Sequence, residues 1–181
     1  MLVYFDLETT GLSPGNDCIV QLAATANGSD FSSLVNPGRP IPRHITTLTG
    51  ISTADVADAP DVKTVVASWC AWLSTLDPPL VLVGHNIARF DIPFLRAAVP
   101  ELDLAAFGVT HWLDTLQVFR RFRGGAKNSM AALHMQTFGC AAAGAHNALN
   151  DVHALRRLTD HASLQPYVAA ALLSSLLKPV F

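Results

Sequence analysis

The sequence predicts an α/β sandwich built on a mixed five-stranded sheet flanked by helices. Three observations carry this. The first third holds three short β-type runs separated by turn residues, the run 80–83 is uninterruptedly apolar, and the second half is mostly helical in its periodicity. With 181 residues, half of them apolar and 14% charged, the chain suits one domain over 1–181 that can bury a core without staples. No internal repeat, linker or low-complexity tail divides it.

Taken in order, residues 2–6, 18–25 and 31–35 read as strands. The punctuation Ser13-Pro14-Gly15-Asn16-Asp17 and Asn27-Gly28-Ser29 predicts tight connections and antiparallel pairing. The segment 36–50 carries three prolines and reads as irregular. Helical spacing follows over 61–76, with Val62, Val65, Val66, Trp69, Trp72, Leu73 and Leu76 on one face, and Pro78-Pro79 stop it. Residues 80–83 have the pattern of a central strand covered on both sides. Gly84-His85-Asn86 end that strand, and a helix is expected from about residue 91 to 99. Residues 111–114 resemble another strand end. Helices are expected over 116–122, 129–138, 148–161 and 166–177. The last is apolar from 167, but it is short and Ser174-Ser175 interrupt it, so it reads as a packed helix and not a membrane span.

Composition narrows the function classes. Cys18, Cys70 and Cys140 are too few and too scattered for a disulfide framework or a zinc site, which favours reduced thiols. The N-terminus shows neither a basic flank nor a long apolar run, so the expected location is intracellular, cytoplasmic or nuclear, with no membrane partner. A net charge of −2 does not advertise nucleic-acid binding. Arg120, Arg121, Arg123 and Lys127 nevertheless cluster around Gly124-Gly125. That patch suits a phosphate-bearing ligand, and a solvated surface loop explains it equally well.

Asp6 and Glu8 are the most informative pair. In a strand, residues two apart share a face, so both carboxylates leave one surface together. Two adjacent anions call for a hard divalent cation or for a hydrogen-bonded or solvated setting, and the pair alone does not choose. Asp91 follows the turn after run 80–83, where ligands gather in open α/β sheets, and the alternative is a helix cap. Asp151 lies in a predicted helix, as a ligand or as a carboxylate answering the helix dipole. His146, five residues earlier, is either an active group or a surface histidine. Asp114, in Trp112-Leu-Asp-Thr115, is a further acid at the predicted strand end.

The segments Phe5-Asp-Leu-Glu-Thr-Thr-Gly11, His85-Asn86 with Phe90-Asp91, and His146-Asn-Ala-Leu-Asn-Asp151 match, in order and spacing, the three motifs of DnaQ-like DEDDh 3′–5′ exonucleases. The Pro-rich segment 34–42, Leu48-Thr-Gly-Ile51, Ala59-Pro60 and Lys127-Asn-Ser-Met-Ala-Ala-Leu133 resemble the proofreading epsilon subunits of bacterial DNA polymerase III. The resemblance covers residues 2 to about 158.

It implies a ribonuclease H-like fold, two divalent ions (Mg²⁺ or Mn²⁺), and release of nucleoside monophosphates from 3′ ends. Such ions, roughly 3.5–4 Å apart, stabilise both the attacking and the departing oxygen. By resemblance, Asp6, Glu8 and Asp151 hold one ion, Asp6 bridges to the second, Asp91 supports that second ion, and His146 is the general base. Thr9, Thr10, Leu12, Ile51, His85, Asn86 and Ser129 are the implied contacts to the substrate strand. Arg120, Arg121, Arg123 and Lys127 are candidates for its backbone phosphates. The implied substrate is single-stranded or frayed DNA, with an RNA-trimming relative of the RNase T or oligoribonuclease type and a catalytically silent binding module as alternatives. The related three-prime repair exonucleases also admit a homodimer. The chain ends 30 residues after Asp151, so no stable polymerase tether is expected.

Overall fold

The first strand sets the architecture. In β1 (Leu2–Thr9), Val3, Phe5 and Leu7 alternate with Tyr4, Asp6 and Glu8, so one face is wholly apolar and the other turns acidic toward its end. The computed structural model describes residues 1–123 and 127–180; Gly124 and Gly125, the centre of the basic cluster, lie outside the described residues.

β1 pairs antiparallel with β2 (Ile19–Ala26), which pairs antiparallel with β3 (Ser29–Leu34). On its other side β1 pairs parallel with β4 (Leu80–Gly84), and β4 with β5 (Val109–Asp114). The order is β3-β2-β1-β4-β5-β6, a mixed sheet as expected. Among the described residues it has six strands, not five. β6 (Leu177–Pro179) adds antiparallel to β5 where the sequence suggested the end of a helix. Three residues with a terminal proline carry no readable alternation, and the apolar run leading into them looks helical.

Helices cover both faces. α2 (Val62–Leu73) and α3 (Asp91–Ala98) pack on the Val3–Phe5–Leu7 side, where Phe5 stacks on fully buried Trp69 at 5.1 Å between ring centroids. Burying a side chain of this size contributes about 1.5–3 kcal/mol. α4 (Thr115–Arg123), α5 (Met130–Phe138), α6 (Ala148–Asp160) and α7 (Gln165–Leu172) close the other face around Tyr4, Ala23, Val83 and Leu113. α7 stops at Leu172, short of the expected 177, and no helix among the described residues is long and apolar enough to cross a membrane.

The segment expected to be irregular contains α1 (Arg43–Thr49). Its N-cap is Pro42 with no side-chain cap, so it lacks the usual start signal. Together with Ile51 and Val56 it builds a small separate core over Val20. The three parallel strands β1, β4 and β5 all end at the same edge of the sheet, and each carries an acid there or just beyond.

Candidate active site

Asp6 and Glu8 project from β1 toward α6, whose first turn carries Asp151. One oxygen from each of Asp6, Glu8 and Asp151 lies within 4.8 Å of the other two. Asp91 enters from the β4 side. Parallel pairing of β1 with β4 stops at Tyr4, and beyond it the N–H of Leu7 donates to Asp91 Oδ1 at 3.1 Å. A carboxylate thus completes the edge where the sheet gives out.

The electrostatics follow from this crowding. Burial pushes the Asp6 carboxyl well above the usual carboxylate range, and Asp91, Glu8 and Asp151 add to it. Glu8 rises to about 7 through burial, then through Asp151 and Asp91. Asp91 also rises to about 7, mainly by burial, although its hydrogen bond from Leu7 opposes the shift. Asp151 is raised by burial and held back by the N–H of His146. With Asp91 buried and Asp6, Glu8 and Asp151 half-buried, like charges this crowded are stable as ions together only with positive charge among them. The donor set, all hard oxygen, fits Mg²⁺ or Mn²⁺.

His146 stands beside this group. Its backbone is left-handed (φ 66°), and its N–H donates to Asp151 Oδ2 at 3.0 Å. Asn147 caps α6 by accepting the N–H of Asn150, and Asn150 Nδ2 donates to the carbonyl of Gly144. A Cβ at Gly144 would come within 2.4 Å of that amide nitrogen, so this loop position requires glycine. The exposed ring of His146 lines a cavity of about 250 Å³ with Asp6, His85, Met130, Asp151 and the small residues Ala141, Ala142 and Ala145.

The remaining sequence candidates separate by position. Leu12 is 82% exposed at the tip of the loop after β1. Thr9 and Thr10 are buried and turned into that loop. Thr9 Oγ1 donates to the Gly11 carbonyl, while Thr10 Oγ1 donates to Asp17 and accepts from the N–H of Cys18. Asp17 also accepts the N–H of Ser13, and a Cβ on Gly11 would strike it at 2.5 Å. Ile51 is buried in the small core over Val20. His85 packs its Nδ1 against Thr115 Oγ1 at 3.0 Å, and burial drops its imidazole to about 4. Asn86 is left-handed (φ 73°). Ser129 caps α5 by accepting the N–H of Ala132. Arg120, Arg121 and Lys127 are exposed, whereas the Arg123 guanidinium donates to Asn128 Oδ1 and Gln136 Oε1.

Two residues that support the site escaped the sequence reading. Gln21 on β2 is the register partner of Glu8, and its Oε1 accepts the N–H of Ala148 at the start of α6. A polar residue in the otherwise apolar run 19–24 is the signal that could have flagged it. Thr115, fully buried, donates to the Gly84 carbonyl.

An exonuclease family model, that of RNase T, matches residues 3–159. The chain belongs to this exonuclease family. Among curated relatives, it is 34% identical to the PolC-type DNA polymerase III of Bacillus subtilis over 84% of this chain and 11% of that protein. It is 36% identical to a putative bifunctional exonuclease/endonuclease of Mycobacterium tuberculosis over 84% of this chain and 25% of that protein. A DNA polymerase III subunit epsilon-like protein of Rhodobacter capsulatus is 46% identical over 52% of this chain and 14% of its own length. The chain therefore spans only between about a tenth and a quarter of these relatives. Exonuclease X, in complex with 5′ overhanging duplex DNA, superposes with a TM-score of 0.62 at 29% identity, covering 90% of this chain and 93% of that one. Escherichia coli exonuclease I, in complex with a dT13 oligonucleotide, shares the fold with a TM-score of 0.74 at 20% identity over 95% of this chain and 43% of that one.

Proposed function

We propose that this chain is a metal-dependent 3′–5′ exonuclease that releases nucleoside 5′-monophosphates from single-stranded or frayed DNA ends. The observation that carries the proposal is the approach of the Asp6, Glu8 and Asp151 oxygens to within 4.8 Å of one another, with the His146 ring on the same cavity. Family membership supports nuclease chemistry, and the polymerase-named relatives and the DNA in the Exonuclease X complex favour DNA over RNA.

In this reading Asp6, Glu8 and Asp151 would hold one divalent ion, and Asp91 would help Asp6 to hold a second. Divalent ions bound there supply the positive charge that the attacking and departing oxygens need. His146 takes the proton of the attacking water. Its exposed ring is free to reach that water, because only its backbone N–H is committed to Asp151. Leu12 stands beside the terminal base, where an exposed apolar side chain gains by covering it. Thr9, Thr10, His85, Asn86 and Ser129 contribute contacts at the strand end, and Arg121 and Lys127 attract the phosphates behind it.

The test is a panel of 5′-labelled single- and double-stranded DNA and RNA oligonucleotides with Mg²⁺ or Mn²⁺. Mononucleotide release from 3′-hydroxyl DNA ends, lost in Asp6→Ala and cut by about 10²–10⁴ in His146→Ala, is the expected result. Faster turnover of matched RNA would move the substrate to RNA. Absence of release from every 3′ end would leave only a binding module.

A further inference from the structure

Asp114, at the end of β5, is 2% exposed and plays no part in the proposed chemistry. Its carboxylate takes four donors. Oδ1 accepts the N–H of Asn86 at 2.9 Å and of Leu116 at 3.0 Å, while Oδ2 accepts the N–H of Ala88 at 3.4 Å and Gln117 Nε2 at 3.2 Å. Leu116 and Gln117 lie in the first turn of α4, where the Leu116 N–H bond caps the helix and the Gln117 bond is a side-chain contact beside it. The other two reach across to the turn between β4 and α3.

A neutral cap such as serine or asparagine would satisfy α4 alone. Four donors converging on one side chain require acceptors on two terminal oxygens, which a carboxyl group offers and a serine hydroxyl or an asparagine amide does not. That choice has an electrostatic cost, because the Asp114 charge raises the proton affinity of Asp91.

The adjacent Thr115 grips the same turn from the other side, with its Oγ1 donating to the Gly84 carbonyl and meeting the ring of His85. The pair Asp114-Thr115 thus holds Gly84, His85 and left-handed Asn86 in succession. Asp91 leaves this turn at the start of α3, whose N-cap, Phe90, has no side-chain cap bond. Backbone bonds hold α3 to this turn, with Phe90 N–H donating to the Asn86 carbonyl and Ile92 N–H to that of Ile87, so where Asp91 stands follows from where the turn is held.

We infer that Asp114 is a positioning residue: its bonds to the amides of Asn86 and Ala88 fix the β4–α3 turn so that Asp91 reaches the edge of β1 and completes the second ion's site. This rests on the nuclease reading for the ion, but not for the geometry.

The experiment therefore has two arms. In metal-free protein, amide hydrogen exchange is followed at Asn86, Ala88 and Leu7 in Asp114→Asn, Thr115→Val and, as a control on the α4 side, Gln117→Ala. Faster exchange at Leu7, the amide held by Asp91, is expected in the first two variants and not in the third. Unchanged exchange at Leu7, or faster exchange spread evenly over the whole sheet, would overturn the inference whatever the metal does. In the second arm, calorimetric titration with Mn²⁺ alone is expected to show the weaker of two sites loosened about 10–100-fold in Asp114→Asn. The stronger site should stay within about threefold, kcat should fall, and KM should hold. Two undisturbed Mn²⁺ sites in that variant would also overturn it. A wild-type protein that binds no Mn²⁺ would instead count against the nuclease reading, with the exchange arm still deciding the role of Asp114.

Discussion

The side-chain oxygen of Gln21 accepts the backbone N–H of Ala148 at 3.0 Å, joining residues 127 positions apart. Gln21 is the register partner of Glu8, and Ala148 opens the helix whose first turn carries Asp151. One buried amide side chain therefore spans the sheet and the helix that supply two of the converging acids. Gln21→Leu leaves the buried N–H of Ala148 without an acceptor, which costs about 1–3 kcal/mol. A melting point lower by roughly 2–10 °C is expected in thermal unfolding. Gln21→Glu keeps the acceptor but sets a further carboxylate opposite Glu8, so its loss should be the smaller of the two only near pH 4, where the acids are protonated; equal losses in both variants there would mean that the bond does not matter.

The acids also set a pH dependence. Glu8 and Asp91 both stand at about 7 in the folded protein, against ordinary values of 4.5 and 3.8. Between those limits these acids, with Asp6 and Asp151 also raised, hold protons that the unfolded chain has lost; they outnumber His85, whose drop from 6.5 to about 4 acts the other way, so net stability falls as pH rises through that window. Divalent ions take the deprotonated forms, so stabilisation by Mn²⁺ should be small at low pH and largest above about 7. Melting curves in EDTA and in Mn²⁺ across this range check both slopes. A metal-free melting point that climbs from pH 4.5 to 7 would contradict the crowding described above.

Asp6 gives the sharpest form of that argument. Its carboxyl is raised well above 3.8, so at neutral pH folding of the metal-free chain must take up a proton or accept the repulsion. An amide needs neither. Asp6→Asn should abolish metal-dependent activity and at the same time raise the melting point in EDTA. The gain should vanish only well below 3.8, where the unfolded acid is itself protonated, and grow toward pH 7. Each kcal/mol recovered corresponds to roughly 2–4 °C in a chain of this size.

What the sequence shows of this site is what lies along one strand or helix. The two-residue spacing of Asp6 and Glu8 places both on the α6 face, and the position of Asp91 after the run 80–83 places it at the strand ends. The bonds of Gln21 to Ala148, Asp17 to the Leu12 loop, and Asp114 to the β4–α3 turn depend on which strands become neighbours, and periodicity does not encode register. The same limit hid β6 and α1. The first is a three-residue strand that exists only because β5 offers an edge, and the second lacks a cap amid prolines.

The basic cluster separates two roles that composition alone merges. Arg121 is exposed, whereas the Arg123 guanidinium bridges Asn128 and Gln136 and so ties α4 to the start and the side of α5. Arg121→Ala should leave the stability within about 0.5 kcal/mol of wild type, yet weaken DNA binding and flatten its salt dependence by close to one phosphate contact, a slope change of about 0.7 for a single strand. Arg123→Ala should do the reverse, lowering stability with little change in the salt slope, because a guanidinium spent on two side-chain oxygens has little left for phosphate. Binding isotherms at several salt concentrations, set beside melting curves for both variants, distinguish them. Equal salt slopes for the two would show that Arg123 gives up its internal partners when the strand arrives.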